Sequence, residues 1–236
     1  SMKTLIIIPS RMAAKRLPGK PLLKINGTSI ISHVFIRAES TNIGDVFVAT
    51  EDQEIVDDVR NNGGNAILTS KNHKTGTDRI HEAFNLLNKN DITHVMNVQG
   101  DEPDFDVDDI KNLDKMMKSS NAKIGTMAAK ISEKNIYENE NIVKVEIKEP
   151  FEKNPFPHAL NFIRKTKEKS NIFHHIGIYC YELSMLKKFV LFNQSQNELE
   201  NNLEQLRALD NGVNINVAHA NKSPIGIDTH EDYIAI

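Results

Sequence analysis

Short apolar runs alternate with stretches of helical periodicity through the first half of this chain, and that alternation does most to narrow its fold. Leu5-Ile6-Ile7-Ile8 is continuously apolar, the pattern of a strand covered on both faces. Ile30-Ile31, Val34-Phe35 and Ala38 recur at helical spacing. A strand over Val46–Ala49 and a helix over Asp52–Asn61 follow, the helix ended by Gly63-Gly64. Ala66–Leu68 reads as a short strand, Thr77–Leu87 as a helix, Val95–Val98 as a strand and Val107–Met117 as a helix. Short connections between such elements predict parallel strands joined by right-handed crossovers. Beyond residue 124 the pattern turns strand-rich, with strands expected at Ile124–Ala129, Val143–Ile147, Ala159–Ile163 and Ile172–Tyr181. A proline-bearing loop spans Glu149–His158, helices are expected near Leu183–Phe189 and Leu199–Leu209, and a last strand at Ile215–Ala218. The expected fold is α/β: a Rossmann-like mixed sheet flanked by helices, with a more antiparallel second half, in a single domain over residues 1–236.

A chain of 236 residues buries roughly 70–75% of its unfolded surface and needs no covalent staple. Its net charge of −3 and pI of about 6.3 provide no global basic field, so neither nucleic acid nor an anionic membrane is expected as a partner. Cys180 is the single cysteine, which excludes an intrachain disulfide, suits a reducing compartment and reads as a small core residue. The apolar runs fall far short of the ~20 residues a membrane span needs. With no secretory pattern at the start of the sequence, a cytoplasmic location is expected.

Positive charge is instead local. Residues 9–23 read Pro-Ser-Arg-Met-Ala-Ala-Lys-Arg-Leu-Pro-Gly-Lys-Pro-Leu-Leu, placing Arg11, Lys15, Arg16 and Lys20 just past the first strand. Ligands of open α/β sheets bind at that end of the strands. Glycine lets backbone N–H groups approach an anion, and Arg and Lys supply forked and point-like phosphate contacts. The loop is neither a Walker A motif nor G-x-G-x-x-G. Charge alone is compatible with a solvated basic loop; the strand before it and the carboxylates below favour a small anionic ligand.

Val98-Gln99-Gly100-Asp101-Glu102-Pro103 ends another strand. Asp101 there can reach into the crevice as a hard oxygen ligand for Mg²⁺ or cap the helix near Val107, a job for which Asp104 and Asp106 lie closer to the helix start. The acidic spacing lacks the glycine and distal glutamate of an EF-hand. In Gly226-Ile227-Asp228-Thr229-His230-Glu231-Asp232, Thr229 and Asp232 fit an N-terminal cap, leaving Asp228 outside it. Mg²⁺ commonly takes one or two carboxylates and completes its shell with phosphate and water oxygens. Asp101 and Asp228 would form such a pair if the two segments met. Thr75 or Thr77 in His73-Lys74-Thr75-Gly76-Thr77-Asp78-Arg79 caps the following helix, whose end favours anions. Adjacent His174 and His175 point to opposite faces of a strand and make no zinc set. No nucleophile elbow or Cys/His pair is evident, so an enzyme of this sequence works by positioning and charge neutralisation.

These motifs, with His175-Ile176-Gly177-Ile178-Tyr179 and Leu203-Glu204-Gln205-Leu206-Arg207, resemble those of the 3-deoxy-manno-octulosonate (Kdo) cytidylyltransferases, in order along nearly the whole chain. The resemblance implies a nucleotide-diphospho-sugar transferase fold and an enzyme of lipopolysaccharide biosynthesis that couples CTP and Kdo into CMP-Kdo and pyrophosphate, with Mg²⁺ as cofactor. By resemblance, Arg11, Arg16 and Lys20 hold the triphosphate. Ser10, Thr77, Asp78 and Arg79 line the base and ribose, with Pro9, Gly76 and Asp101 also on the nucleotide. Asp101 and Asp228 bind the metal, and Lys20, Arg16 and both aspartates form the catalytic set. Gln99, Arg164, His175 and Glu204 read the sugar. A homodimer through roughly residues 130–185 is also implied. The sequence departs from the family pattern at Asn161-Phe162-Ile163, Asn201 and His230. The first two departures lie on the sugar side, and an 8-amino-Kdo or a sialic-acid-like substrate, or a binder of this fold without turnover, are the alternatives.

Overall fold

A computed structural model of the chain describes residues 1–13 and 16–236; Lys15 of the cationic loop lies outside the described residues. The architecture is mixed α/β, a mainly parallel sheet flanked by helices. The contacts gather into two compact units, residues 1–108 with 224–236, and residues 109–223.

In the first unit β1 (Thr4–Ser10) is followed by a one-turn 3₁₀ helix at Lys20–Leu22 and by a minimal hairpin of β2 (Lys24–Ile25) and β3 (Thr28–Ser29). Then come α1 (Ile30–Glu39), β4 (Val46–Thr50), α2 (Gln53–Asn61), β5 (Ala66–Leu68), α3 (Gly76–Leu87) and β6 (His94–Asn97). β1 pairs in parallel with both β6 and β4, and β4 in parallel with β5. Leu5, Ile6, Ile7 and Ile8 are all fully buried, as the continuous apolar run requires. α1, α2 and α3 pack against these strands, with the Ile30, Ile31, Val34 and Phe35 stripe inward. Ser29 caps α1 by accepting the Ser32 N–H at 3.1 Å. The 3₁₀ turn depends on Gly19, whose φ of 69° is readily open only to glycine and a few polar residues.

The chain passes into the second unit within α4 (Val107–Lys118), which is started by the Asp106 side chain accepting the Asp108 N–H at 2.8 Å. The strands of this unit are β7 (Ile124–Ala129), β8 (Lys144–Ile147), β9 (Ala159–Ile163), β10 (Ile172–Glu182) and β11 (Ile215–His219). β10 runs antiparallel to β7 and β8, β8 antiparallel to β9, and only β11 joins β7 in parallel. The helices are α5 (Leu183–Phe189), α6 (Gln196–Asn201) and α7 (Leu206–Asp210). The single helix expected over Leu199–Leu209 is therefore two. Ser195 and Glu198 form a capping box that starts α6 early, and Asn202 ends it in the left-handed conformation, φ 53°. The buried Glu198 carboxylate then clamps Arg207 of α7, with Nε and Nη2 donating at 2.9 and 2.6 Å.

Residues 224–236 return to the first unit and end in α8 (His230–Ile234), capped as expected by Thr229 and Asp232. Ile227 is fully buried in a small cluster with Leu17 and Ile30, joined by Leu23, Ile25 and Tyr233. The Ile227 N–H donates to the Asp101 carbonyl at 3.0 Å and the Ile225 N–H to Asp104 Oδ1 at 2.8 Å. No helix among the described residues is long and apolar enough to cross a membrane.

Candidate functional site

A cleft of about 860 Å³ opens in the first unit. Pro9, Ser10, Arg11, Arg16 and Lys20 from the β1 loop line it, with Gly76 and Arg79 of α3, Gln99 and Asp101 after β6, and Asp228. The sheet explains this gathering: β1 and β6 are parallel neighbours, so the loops after them leave from the same end. Gly100 permits the close approach, because a Cβ there would sit 3.0 Å from the Pro9 carbonyl oxygen and 3.3 Å from Ile31 Cδ1.

Two acidic segments distant in sequence meet in this cleft. The ammonium of Lys20 lies 3.4 Å from Asp101 Oδ2 and 3.5 Å from Asp228 Oδ1. The backbone bond from Ile227 to Asp101 brings the second carboxylate here. Burial raises the Asp101 carboxyl above its usual range, Lys20 opposes that rise, and Asp228 adds to it. Burial also pushes the neighbouring Glu102 up to about 8, helped by the charges of Asp101, Asp104 and Asp228. Its Oε2 is buried with no hydrogen-bond partner among the described residues. Asp104 and Asp106 are spent on Ile225 and on the start of α4, so Asp101 is not the helix cap. The described residues contain no group of three or more His, Cys, Asp or Glu side chains arranged to hold a metal. A cation here would have two protein carboxylates and take its remaining ligands from elsewhere, which suits Mg²⁺ with phosphate oxygens. The two carboxylates already share one positive centre, so the donor set fits.

The nucleotide-side residues divide. Pro9, Ser10, Arg11, Arg16, Lys20, Gly76, Arg79 and Asp101 line the cleft, whereas Thr77 and Asp78 are not among its lining residues. Thr77 is buried, and Asp78 interacts with the capping residue Thr75, whose Oγ1 accepts the Asp78 N–H at 3.2 Å. The Arg79 guanidinium is buried. It donates to Thr69 Oγ1 at 2.6 Å, to the Ser70 carbonyl at 3.2 Å and to Glu51 at 3.2 Å. Glu82 holds the same loop by accepting the Ser70 N–H at 2.9 Å and a hydrogen bond from His73. Burial opposes ionisation of Glu82, but the Ser70 and His73 contacts outweigh it and hold the carboxyl below its usual range. His73, Lys74 and Thr75 also line the cleft. Their position just before a capped helix was the available sequence signal, since an exposed helix N-terminus favours anions.

Of the sugar-side residues, Gln99 lines the cleft, while Arg164, His175 and Glu204 belong to the second unit. Arg164 donates to three backbone carbonyls: Glu140 at 2.9 Å, Asn201 at 2.9 Å and Asn202 at 3.0 Å. Beside it, fully buried Lys144 donates to the carbonyls of Asn139 and Ile142, each at 2.7 Å, and to that of Arg164. Burial lowers the Lys144 ammonium from its ordinary value. His175 lies on β10, edge-on to the rings of Phe162 and Tyr179, with Nε2 3.0 Å from Thr126 Oγ1. Burial lowers it to about 3, so it is neutral at physiological pH. Glu204 lies 4.0 Å from Arg207. Cys180 is a buried thiol, as expected of a core residue.

Residues 5–215 match the family model described as cytidylyltransferase. The 3-deoxy-manno-octulosonate cytidylyltransferase of Thermodesulfovibrio yellowstonii is 41% identical, with 98% of this chain and 95% of that protein covered. The protein of the same name from Afipia carboxidovorans is also 41% identical, over 97% of this chain and 93% of its own. A solved CMP:2-keto-3-deoxy-manno-octonic acid synthetase complexed with CTP superposes with a TM-score of 0.89 at 32% identity, covering 99% of this chain and 96% of the other. The 4-diphosphocytidyl-2C-methyl-D-erythritol synthase of Anaerococcus prevotii shares the fold at 13% identity, with a TM-score of 0.66 over 99% and 96% of the two chains. The family model spans the cationic loop, the Asp101 segment and the strand-rich second half, and the chain belongs to the 3-deoxy-manno-octulosonate cytidylyltransferase family.

Proposed function

We propose that this protein joins CTP to Kdo, releasing CMP-Kdo and pyrophosphate, as a step toward lipopolysaccharide. One observation carries the site assignment: a strand-end cationic loop and two carboxylates from separate segments share a single ammonium in one cleft. The sugar C2 hydroxyl attacks the α-phosphorus of CTP. A new P–O bond forms as the bond to the β-phosphate oxygen breaks, the hydroxyl proton leaves to solvent, and pyrophosphate departs. Arg11, Arg16 and Lys20 neutralise the charge that develops on the leaving group. Asp101 and Asp228 hold a divalent cation, with Mg²⁺ the one expected; when bound, it supplies Lewis-acid charge stabilisation at the phosphates. Ser10 and the N-terminal turn of α3 face the nucleoside, with Arg79 and Glu82 holding the loop before that turn. Gln99, Arg164, His175 and Glu204 serve the sugar.

Pyrophosphate release tests this reading, with CTP, UTP and ATP each offered alongside Kdo, 8-amino-Kdo and a sialic acid. Release with CTP and Kdo, abolished by EDTA, is expected. Preference for 8-amino-Kdo would trace to Asn161, Ile163 and Asn201. No release with any acid sugar would leave a nucleotide binder without turnover. Assembly as a homodimer through residues 130–185 belongs to the same proposal. It is supported by the exposed edge strand β9, which pairs on one side with β8 and leaves Leu160 53% exposed. Light scattering should then give twice the chain mass of 26.6 kDa. A cytoplasmic location also remains part of this proposal.

A further inference from the structure

Lys20 occupies a position that its role as a triphosphate ligand does not explain. Its ammonium is directed at protein carboxylates, 3.4 Å from Asp101 and 3.5 Å from Asp228, and the Lys20 side chain is only 16% exposed. The neighbouring backbone is fixed. Gly19 turns the chain, Pro21 is buried in the 3₁₀ helix, and the Leu22 and Leu23 N–H groups close on the Gly19 and Lys20 carbonyls at 3.0 and 3.1 Å. Leu17 packs with Ile227, so the segments carrying Lys20 and Asp228 share one apolar cluster. The aliphatic stem of lysine remains flexible even where its backbone is held.

We infer that Lys20 is a built-in counter-cation of the Asp101–Asp228 pair, exchanged for the divalent ion when the nucleotide binds. The inference rests on the reading above, in which the two aspartates hold a divalent cation. Asp101 is partly buried, its side chain 29% exposed, and the more exposed Asp228 sets a second negative charge beside it. A partly desolvated carboxylate with a like charge next to it is stabilised by a positive partner, and before ligand arrives the ammonium serves. An ammonium and a divalent ion repel one another strongly at such short range, so one carboxylate pair does not accommodate both. The incoming triphosphate provides the ammonium with new oxygens, and the cation arriving with it takes the carboxylates. The exchange makes metal and nucleotide binding cooperative: the metal alone must displace Lys20, whereas the nucleotide relocates it. Such coupling is reciprocal between the two ligands. It also keeps the two carboxylates together in the free enzyme, so the site is assembled before the cation arrives.

The test measures Mn²⁺ binding directly, by electron paramagnetic resonance of the free ion, on the intact protein with and without CTP and with no sugar present. For the wild type, weak Mn²⁺ binding that tightens with CTP is expected. Lys20→Met should bind Mn²⁺ about tenfold more tightly than wild type without nucleotide, and the tightening caused by CTP should shrink. Lys20→Gln repeats the experiment with a polar side chain of the same reach should the methionine variant fold poorly. Folded variants that bind Mn²⁺ no more tightly than wild type without CTP, while wild type binds it with CTP, would overturn the exchange and leave the metal site standing. Absence of Mn²⁺ binding to wild type even with CTP would overturn the metal assignment and the exchange together.

Discussion

The carboxylate of Asp52 accepts the backbone N–H of Met12 at 2.8 Å across a separation of 40 residues. Asp52 is the N-cap residue of α2, yet its side chain makes no cap bond to that helix. An acidic group that forgoes its local partner is tying down the cationic loop. Asp52→Ala should therefore raise KM for CTP by about one to two decades, the worth of a charge-assisted hydrogen bond at ~1.5–3 kcal/mol. Asp52→Asn, which keeps an acceptor, should recover most of the loss. Steady-state kinetics at saturating sugar decides, and an unchanged KM in the alanine variant would free the loop from this anchor.

Arg79 is expected to act on stability more than on base reading. Its side chain and that of Glu51 are 4% and 16% exposed, and breaking a buried pair by removing one partner costs ~3–5 kcal/mol. At roughly 2–4 °C per kcal/mol for a chain of this size, Arg79→Ala should lose on the order of ten degrees of Tm. Arg79→Lys should lose part of that, because an ammonium cannot reproduce the guanidinium fork. A lysine variant with native Tm but a raised KM for CTP would instead place Arg79 on the nucleotide.

Glu102 should give the protein a distinct pH signature. Its carboxyl titrates near 8 in the folded chain against 4.5 ordinarily, chiefly because of burial. Between those values the folded state holds a proton that the unfolded state has released, so stability falls as pH rises from about 4.5 to 8. Glu102→Gln removes this titration. Chemical denaturation across that range should show a flatter pH dependence in the variant, with its largest relative gain at the alkaline end. Parallel profiles for the two proteins would remove Glu102 as the source.

Arg164→Ala should have two effects that separate. KM for the sugar should rise by about one to two decades with KM for CTP little changed, if the guanidinium meets the sugar carboxylate at ~1.5–3 kcal/mol. Tm should also fall, because the same side chain bridges the carbonyls of Glu140, Asn201 and Asn202. A fall in Tm with unaltered sugar KM would make Arg164 a structural clamp only.

Local signals carried much of the fold. The Leu5–Ile8 run, the Ile30–Ala38 stripe and the cap at Thr229 each reflect forces acting within a turn or two of chain, and each stands where the pattern placed it. Of the two threonines that could cap the helix over Gly76–Leu87, the structure uses Thr75. The break at Asn202 was harder to read, because a left-handed asparagine leaves the apolar spacing on either side looking continuous. Lys144 escaped for the opposite reason: a charged residue reads as solvated, and only three converging carbonyls make its burial tolerable.

Residue types and order alone determined the family motifs, the parallel alternation of the first half and the identity of the candidate cations and carboxylates. Tertiary structure decided which of them meet. Asp101 and Asp228 share Lys20 because Ile227 is buried beside Leu17 and hydrogen-bonds to the Asp101 backbone; no local pattern records that return of the chain. Arg79 turned inward because Glu51, Thr69 and Ser70 lie within its reach. A side chain's chemistry is written in the sequence, but its partner is set by packing between segments far apart along the chain, where burial makes an unpaired charge too costly to leave.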